Sequence, residues 1–208
     1  MKKYTYTLVF GLIFCATAVG QNEIAPTTYF EDNQFLISWD IAFPTGDYVD
    51  ETSFSGFRFE YRKLLSANWA WGLSTGWNSY KQKVDQQLYQ TPDGSQAVFT
   101  DMIRKVFEIP ITINGYYFLG QFGNFKPYSG LGLGTLYSQQ EAFFNIYVIE
   151  EINWGFLVRP ELGFQYKLDY SMGLQAYVAY SYATNKNDYF GIDNLQHVSI
   201  GVGAYWSY

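Results

Sequence analysis

The residues of this chain that could do chemistry are few and stand at alternating positions. His197 is the single histidine, and Ser199 follows two residues later. Nucleophilic catalysis needs such a pair plus an orienting carboxylate, all aimed at one atom. Residues two apart on a strand share a face but lie in line along it. We therefore interpret His197 as part of a polar network and predict that the protein is not an enzyme.

The other candidate motifs do not predict a metal or a phosphate site. The sequence has no cluster of His and Cys with zinc spacing, and Asp47, Asp50 and Glu51 are too sparse for a calcium loop. The run 130–134, Gly-Leu-Gly-Leu-Gly, lacks the strand–turn–helix context and the Lys-Ser/Thr ending of a phosphate loop. We predict no cofactor and no metal.

Charged residues recur at every second position, as in Arg58-x-Glu60-x-Arg62 and Arg159-x-Glu161. Such a set could be an acid/base pair, a selectivity ring or an ion-pair network that plugs a lumen. We favour the network, because a lone buried charge is costly and these charges can pair. We expect Arg159 to pair with Glu161 and Glu108. The predicted luminal charge network is Asp40, Arg58, Glu60, Arg62, Glu108, Arg159 and Glu161.

The elements that carry these residues have the period of two that is typical of strands. In the last stretch, 195–208, Trp206 and Tyr208 end an apolar face, while His197 and Ser199 lie on the opposite face. The same pattern predicts eight strands at 34–43, 56–62, 69–78, 107–114, 126–137, 156–166, 173–182 and 195–208.

The predicted connections alternate between long and short. Polar residues and turn formers indicate long loops at 44–53, 81–104, 138–151 and 183–194. The run 138–151 is unusually apolar for a loop and could extend the neighbouring strands. Transmembrane barrels show this asymmetry, with the long loops outside the cell and the short turns in the periplasm.

Side-chain volume predicts which face lies inside. A soluble lipocalin-like barrel would turn its apolar face inward. An eight-stranded barrel encloses little space, whereas the apolar face here carries large rings such as Trp39, Trp69 and Trp77. The other face carries glycines and the charged residues. We therefore expect the apolar face to meet lipid.

The N-terminus and the composition define the organisation. Lys2 and Lys3, an apolar run and small residues at 18 and 20 predict a signal peptide at 1–20. We expect a periplasmic leader at 21–33 and the barrel at 34–208. The 208-residue chain has a net charge of −6 and no basic patch, which excludes nucleic acid as a partner.

Four stretches in order carry a family resemblance: Phe43-Pro-Thr-Gly-Asp-Tyr48, the run 126–134, Val158-Arg-Pro-Glu-Leu-Gly-Phe164 and the terminal aromatic strand. The chain resembles the small bacterial outer-membrane β-barrel proteins, the OmpA/OmpX/OmpW-like group. The resemblance implies an all-β, eight-stranded antiparallel up-and-down transmembrane barrel in the cell outer membrane. It also implies that Trp206 and Tyr208 form the assembly signal.

The resemblance implies two kinds of partner, outer membrane lipids and the outer-membrane barrel assembly machinery. It carries over no catalytic motif. We expect a structural or surface-binding role in which the four long loops meet an extracellular ligand. A narrow pore or OmpW-like conduit is the alternative, and the charged lumen argues against it.

Overall fold

The computed structural model describes residues 33–46, 48–90, 97–144 and 147–208. They form a closed antiparallel barrel whose strands pair in chain order, which confirms the predicted fold class. Within these ranges no helix is long and apolar enough to cross a membrane. The strands are β1 (Asn33–Pro44), β2 (Ser53–Leu64), β3 (Trp69–Gln90), β4 (Ala97–Phe118), β5 (Phe125–Phe144), β6 (Tyr147–Lys167), β7 (Met172–Ala183) and β8 (Leu195–Ser207).

The barrel closes where the last strand pairs with the first. The β1–β8 ladder runs from Gln34↔Ser207 to Pro44↔His197, so neither strand is left with a free edge at the seam. Asn33, the predicted end of the leader, is already part of β1, where it pairs with Lys63 of β2. The predicted signal peptide 1–20 and the rest of the leader lie outside the described residues.

The barrel wall turns its apolar side chains outward. Phe35, Trp39 and Leu133 are each about half exposed, at 51%, 50% and 46%. An apolar exterior of this size is unfavourable in water but suits the hydrocarbon of a bilayer. The prediction that the apolar face meets lipid is confirmed, and the charged face lines the lumen.

Four strands are much longer than the sequence predicts. β3 and β4 have 22 residues each, β5 has 20 and β6 has 21, against 12 or 13 for the others. The predicted loops 81–104 and 138–151 are therefore wrong for most of their length. The run 81–104 is polar because strands outside lipid need no apolar side chains, whereas the apolar run 138–151 extends β5 and β6, the alternative noted for it.

The long strands form a four-stranded sheet that rises above the rest of the barrel. The β2–β3 ladder ends at Phe57↔Trp77, and the β6–β7 ladder begins at Leu157↔Ala183. We call the part beyond these pairs the raised sheet; it comprises 78–90, 97–108, 138–144 and 147–156. The opposite end, where the short turns 65–68, 119–124 and 168–171 lie, is the turn end.

Candidate functional site

A buried ion pair crosses the lumen from wall to wall. Arg58 on β2 donates through Nη1 to Oε2 of Glu161 on β6 at 2.6 Å, and β2 and β6 stand opposite each other in the ring of eight. Arg58 Nη2 also lies 2.8 Å from Glu60 Oε2 and donates to the Tyr116 hydroxyl at 2.9 Å. One guanidinium thus joins two carboxylates in the middle of the barrel.

Arg62 completes this part of the network without any exposure to solvent. Its Nε donates to Oε1 of Glu60 at 2.8 Å. The guanidinium lies 3.7 Å from the centroid of the Tyr116 ring and 4.9 Å from that of Tyr128, within cation–π range. The Tyr128 hydroxyl donates to Oε1 of Glu161 at 2.8 Å. Since Arg58 binds Oε2, both oxygens of this carboxylate have a partner.

Arg159 has a different partner from the one that the sequence predicts. Its Nη2 lies 3.2 Å from Oδ2 of Asp40 and donates to Ser199 Oγ at 3.3 Å. The expected pairing with Glu161 and Glu108 is wrong: Arg159 binds Asp40 of β1, whereas both oxygens of Glu161 are bound by Arg58 and Tyr128. The Tyr177 hydroxyl donates to the other oxygen of Asp40.

The six charges of this network balance. Arg58, Arg62 and Arg159 face three carboxylates, those of Asp40, Glu60 and Glu161, and all six residues are buried. In a confined space of low dielectric such a balanced set is far less costly than an excess of one sign. The six-charge network therefore has no net charge of its own.

Luminal tyrosines occupy the space that the glycine face leaves. Tyr116, Tyr128, Tyr177 and Tyr205 stand directly across from glycines in the neighbouring strand. A Cβ added to Gly130 would lie 2.6 Å from the Tyr116 ring, so the glycine is required for the ring to lie flat on the wall. Sequence reasoning missed Tyr116 and Tyr128, although their strand parity placed them inside. The glycine–tyrosine pairs are Gly130↔Tyr116, Gly163↔Tyr128, Gly201↔Tyr177 and Gly173↔Tyr205.

Two loops fold over the raised end of the barrel. The predicted loops 44–53 and 183–194 are connections in the structure, at 45–52 and 184–194. They fold inward and contribute Tyr48, Val49 and Ile192 to a buried apolar cluster with residues of the strands. The side-chain amide of Asn185 anchors the second loop by donating to Leu136 O at 3.0 Å and to Ser138 Oγ at 2.9 Å.

Arg104 and Tyr48 hold the first loop against the raised sheet. Arg104 Nη1 donates to the Tyr48 carbonyl oxygen at 3.1 Å, and its guanidinium lies 5.0 Å from the centre of the Tyr48 ring. Burial raises the pKa of the Tyr48 hydroxyl to about 12, against the opposing effect of Arg104. The hydroxyl therefore stays neutral and donates to the Glu141 carbonyl oxygen at 3.4 Å.

A second buried cluster lies at the turn end of the lumen, below the charges. Leu64, Phe118 and Tyr128 are among its members. The charged layer is thus bounded by apolar side chains on both sides.

The seventh predicted charge, Glu108, lies apart from the other six. His197 Nδ1 is 3.6 Å from Glu108 Oε2, which is too long for a hydrogen bond. Ser199 is bonded to Arg159. The structure thus brings His197 to a carboxylate and Ser199 to a cation.

The raised sheet has two exposed edges, each carrying charge. Past Ser79 on β3 and before Asn153 on β6, no described backbone group bonds to a further strand. The β3 edge carries Lys81 and Lys83, while the β6 edge carries Glu150 and Glu151. Charged edges resist uncontrolled pairing between copies.

Comparison with known proteins identifies the fold. No protein-family model and no curated protein matches the sequence. Neisserial surface protein A (NspA) superposes with a TM-score of 0.60 and 13% identity, over 85% of this chain and 97% of that one. The chain has the fold of the small outer-membrane β-barrels. With its apolar exterior, this fold places the chain in a bacterial outer membrane, as predicted.

Two Escherichia coli structures are also similar. OmpW matches with a TM-score of 0.44 and 15% identity, over 85% of this chain and 97% of its own. The outer membrane protease OmpT matches with a TM-score of 0.46 and 9% identity, over 91% of this chain and all of its own.

Proposed function

We propose that the protein is a surface-binding outer-membrane barrel that does not conduct and that binds through its raised end. The observation that carries the proposal is the Arg58–Glu161 bridge, which spans the lumen at 2.6 Å between side chains that are each 3% exposed. An open pore of this strand number would need its central charges separated and wet. Here they are paired, dry and covered at both ends.

The raised sheet supports a binding role. It stands clear of the lipid-facing wall and exposes Leu88 and Phe99, which are 60% and 67% exposed and directly paired across β3 and β4. Apolar side chains that project into water beyond a bilayer are typical of an interaction surface.

Two further assignments belong to this proposal. We assign no catalytic step, because Glu108 lies beside His197 whereas Arg159 binds Ser199, and among the described residues none aims both side chains at a common atom. The lipid-facing wall makes outer membrane lipids its immediate neighbours, and the barrel assembly machinery would insert it by reading the strand that ends in Trp206 and Tyr208.

Conductance in a planar bilayer tests the closed lumen. We expect the folded wild-type protein to show no unitary current steps, because the Arg58–Glu161 pair bridges the lumen. Regular steps from the wild type would favour the narrow pore instead.

Cysteine labelling on intact cells tests the orientation. The one cysteine, Cys15, lies in the predicted signal peptide, so Glu151→Cys on the raised sheet and Asp169→Cys at the turn end would each provide a single thiol. A membrane-impermeant maleimide should label the first variant on whole cells and the second only after lysis. If only Asp169→Cys were labelled on whole cells, the barrel would have the opposite orientation, and a surface role for the raised sheet would be overturned.

A further inference from the structure

We propose that the pocket at the raised end of the barrel, with Glu108 on its floor, binds a primary ammonium group. The site lies outside the balanced charge network and goes beyond the surface-binding role proposed above. It is formed where the loops 45–52 and 184–194 meet the top of the lumen.

The pocket is a partly enclosed cavity that opens at its rim. Its volume is about 150 Å³, equal to about five water molecules at their share of liquid volume. Its walls are the two loops, its floor includes Tyr80 and Glu108, and Asp193 lies at its exposed rim. This space suits the charged head of a ligand rather than a whole metabolite.

Glu108 is the one acid of the predicted network that has no arginine partner. It is 2% exposed, and its Oε2 has no hydrogen bond. The Tyr80 hydroxyl lies beside the carboxyl group and also lacks a partner with hydrogen-bond geometry. An isolated buried carboxylate must take a proton or bind a cation. The pocket gives a cation from outside a path to this one.

The surroundings favour a positive ligand. The described residues that line the pocket include two acids, Glu108 and Asp193, and no lysine or arginine. The nearby cations are engaged elsewhere, since Arg104 is bonded to the Tyr48 carbonyl and Arg159 to Asp40. His197 is the remaining neighbour, at 3.6 Å.

An ammonium group fits better than a metal ion. Calcium takes six to eight oxygen ligands, several of them carboxylates, and the described residues hold no group of three or more side chains suited to a metal. An ammonium group needs up to three acceptors, which Glu108 Oε2 and the Tyr80 hydroxyl begin to supply. The side chains of Tyr48 and Tyr80 also line the pocket.

The ammonium could come from a free amine or from a lysine side chain of a partner protein. Both bring the same head group on an alkyl stem, and the pocket's apolar lining residues Val49 and Ile192 suit such a stem. The two sources differ in what they place outside the pocket.

The test uses the full barrel folded in detergent and n-butylammonium chloride as the probe. Binding is followed by amide chemical shifts at about pH 8, where an alkylamine is still protonated. We expect saturable shifts at Gly46, Val49 and Ile192, and none with neutral 1-butanol. A capped Gly-Lys-Gly peptide, compared with its norleucine analogue, separates a lysine source from a free amine.

Three variants decide the assignment. Glu108→Gln keeps the shape of the floor and should weaken butylammonium binding at least tenfold. Asp193→Lys alters only the exposed rim, so it tests the site without touching the buried floor, and it should weaken binding as well. Glu151→Gln removes an acid of the raised sheet far from the pocket and should leave binding unchanged.

Equal affinity in Glu108→Gln and wild type would overturn the proposal, as would equal shifts with 1-butanol. If Glu108→Gln fails to fold, wild-type affinity in Asp193→Lys would overturn it in the same way. The conductance result does not enter this test, so a failure here is distinguishable from a failure of the proposed closed lumen.

Discussion

Replacing Arg58 by methionine should destabilise the barrel more than any comparable change on its surface. The guanidinium binds Glu161 at 2.6 Å, Glu60 at 2.8 Å and the Tyr116 hydroxyl at 2.9 Å. Methionine keeps much of the side-chain volume but removes the charge. Three buried carboxylates would then face only two arginines, so one negative charge would remain unpaired in the lumen.

The expected cost is about 3–5 kcal/mol of unfolding free energy, the usual effect of breaking one side of a buried pair. Lys83→Met is the matched control. Lys83 lies 3.7 Å from Asp101 on the raised sheet, and the two side chains are 66% and 44% exposed. Exposed pairs contribute about 0–1 kcal/mol, so the control should remain close to wild type.

Urea unfolding in lipid vesicles, followed by tryptophan fluorescence, measures the difference. The double variant Arg58→Met/Glu161→Met removes both sides of the bridge and should recover much of the loss, since apolar replacement of a whole buried pair is often neutral. The same samples in a planar bilayer report whether the single variant also admits ions.

Equal unfolding midpoints for Arg58→Met and Lys83→Met would refute the reasoning, because the bridge would then contribute no more than a surface pair. A double variant less stable than the single one would show that the side chains act through packing rather than through charge.

Other substitutions test the packing, the closure and the membrane environment. Gly130→Ala should lower the unfolding free energy by about 1–3 kcal/mol, because the added Cβ would lie 2.6 Å from the Tyr116 ring. Gly115→Ala is the control, since its added Cβ would meet open space. It should have little effect in the same urea titration. Replacing Trp206 and Tyr208 by serine should reduce the outer-membrane fraction of exported protein. Trp206 pairs with Phe35, and the Tyr208 ring stacks on the Phe35 ring at 5.4 Å, so both close the seam. Normal outer-membrane levels on cell fractionation would contradict this. The wild type should migrate differently on a gel before and after boiling, and identical migration would argue against a closed barrel.

The strand count and the direction of each face could be predicted from the sequence. Lipid imposes apolar side chains at every second position, so the pattern is local and can be read from neighbours along the chain. Trp39 next to Asp40, or Phe59 next to Glu60, already assigns one residue to lipid and the other to the lumen. The glycines of the inner face indicated a narrow lumen, but the tyrosines that lie against them were not predicted.

The tertiary structure alone decided which luminal charges form pairs and how long each strand is. Arg58 and Glu161 are 103 positions apart, and only closure of the ring puts β2 opposite β6. The strands of the raised sheet continue past the bilayer because backbone pairing needs no apolar pattern in water, so sequence reasoning took them for loops. Strand parity places Glu108 on the same face as the six other charges. Its distance from each arginine, however, depends on the closed barrel, which leaves Glu108 beside a pocket under the two loops.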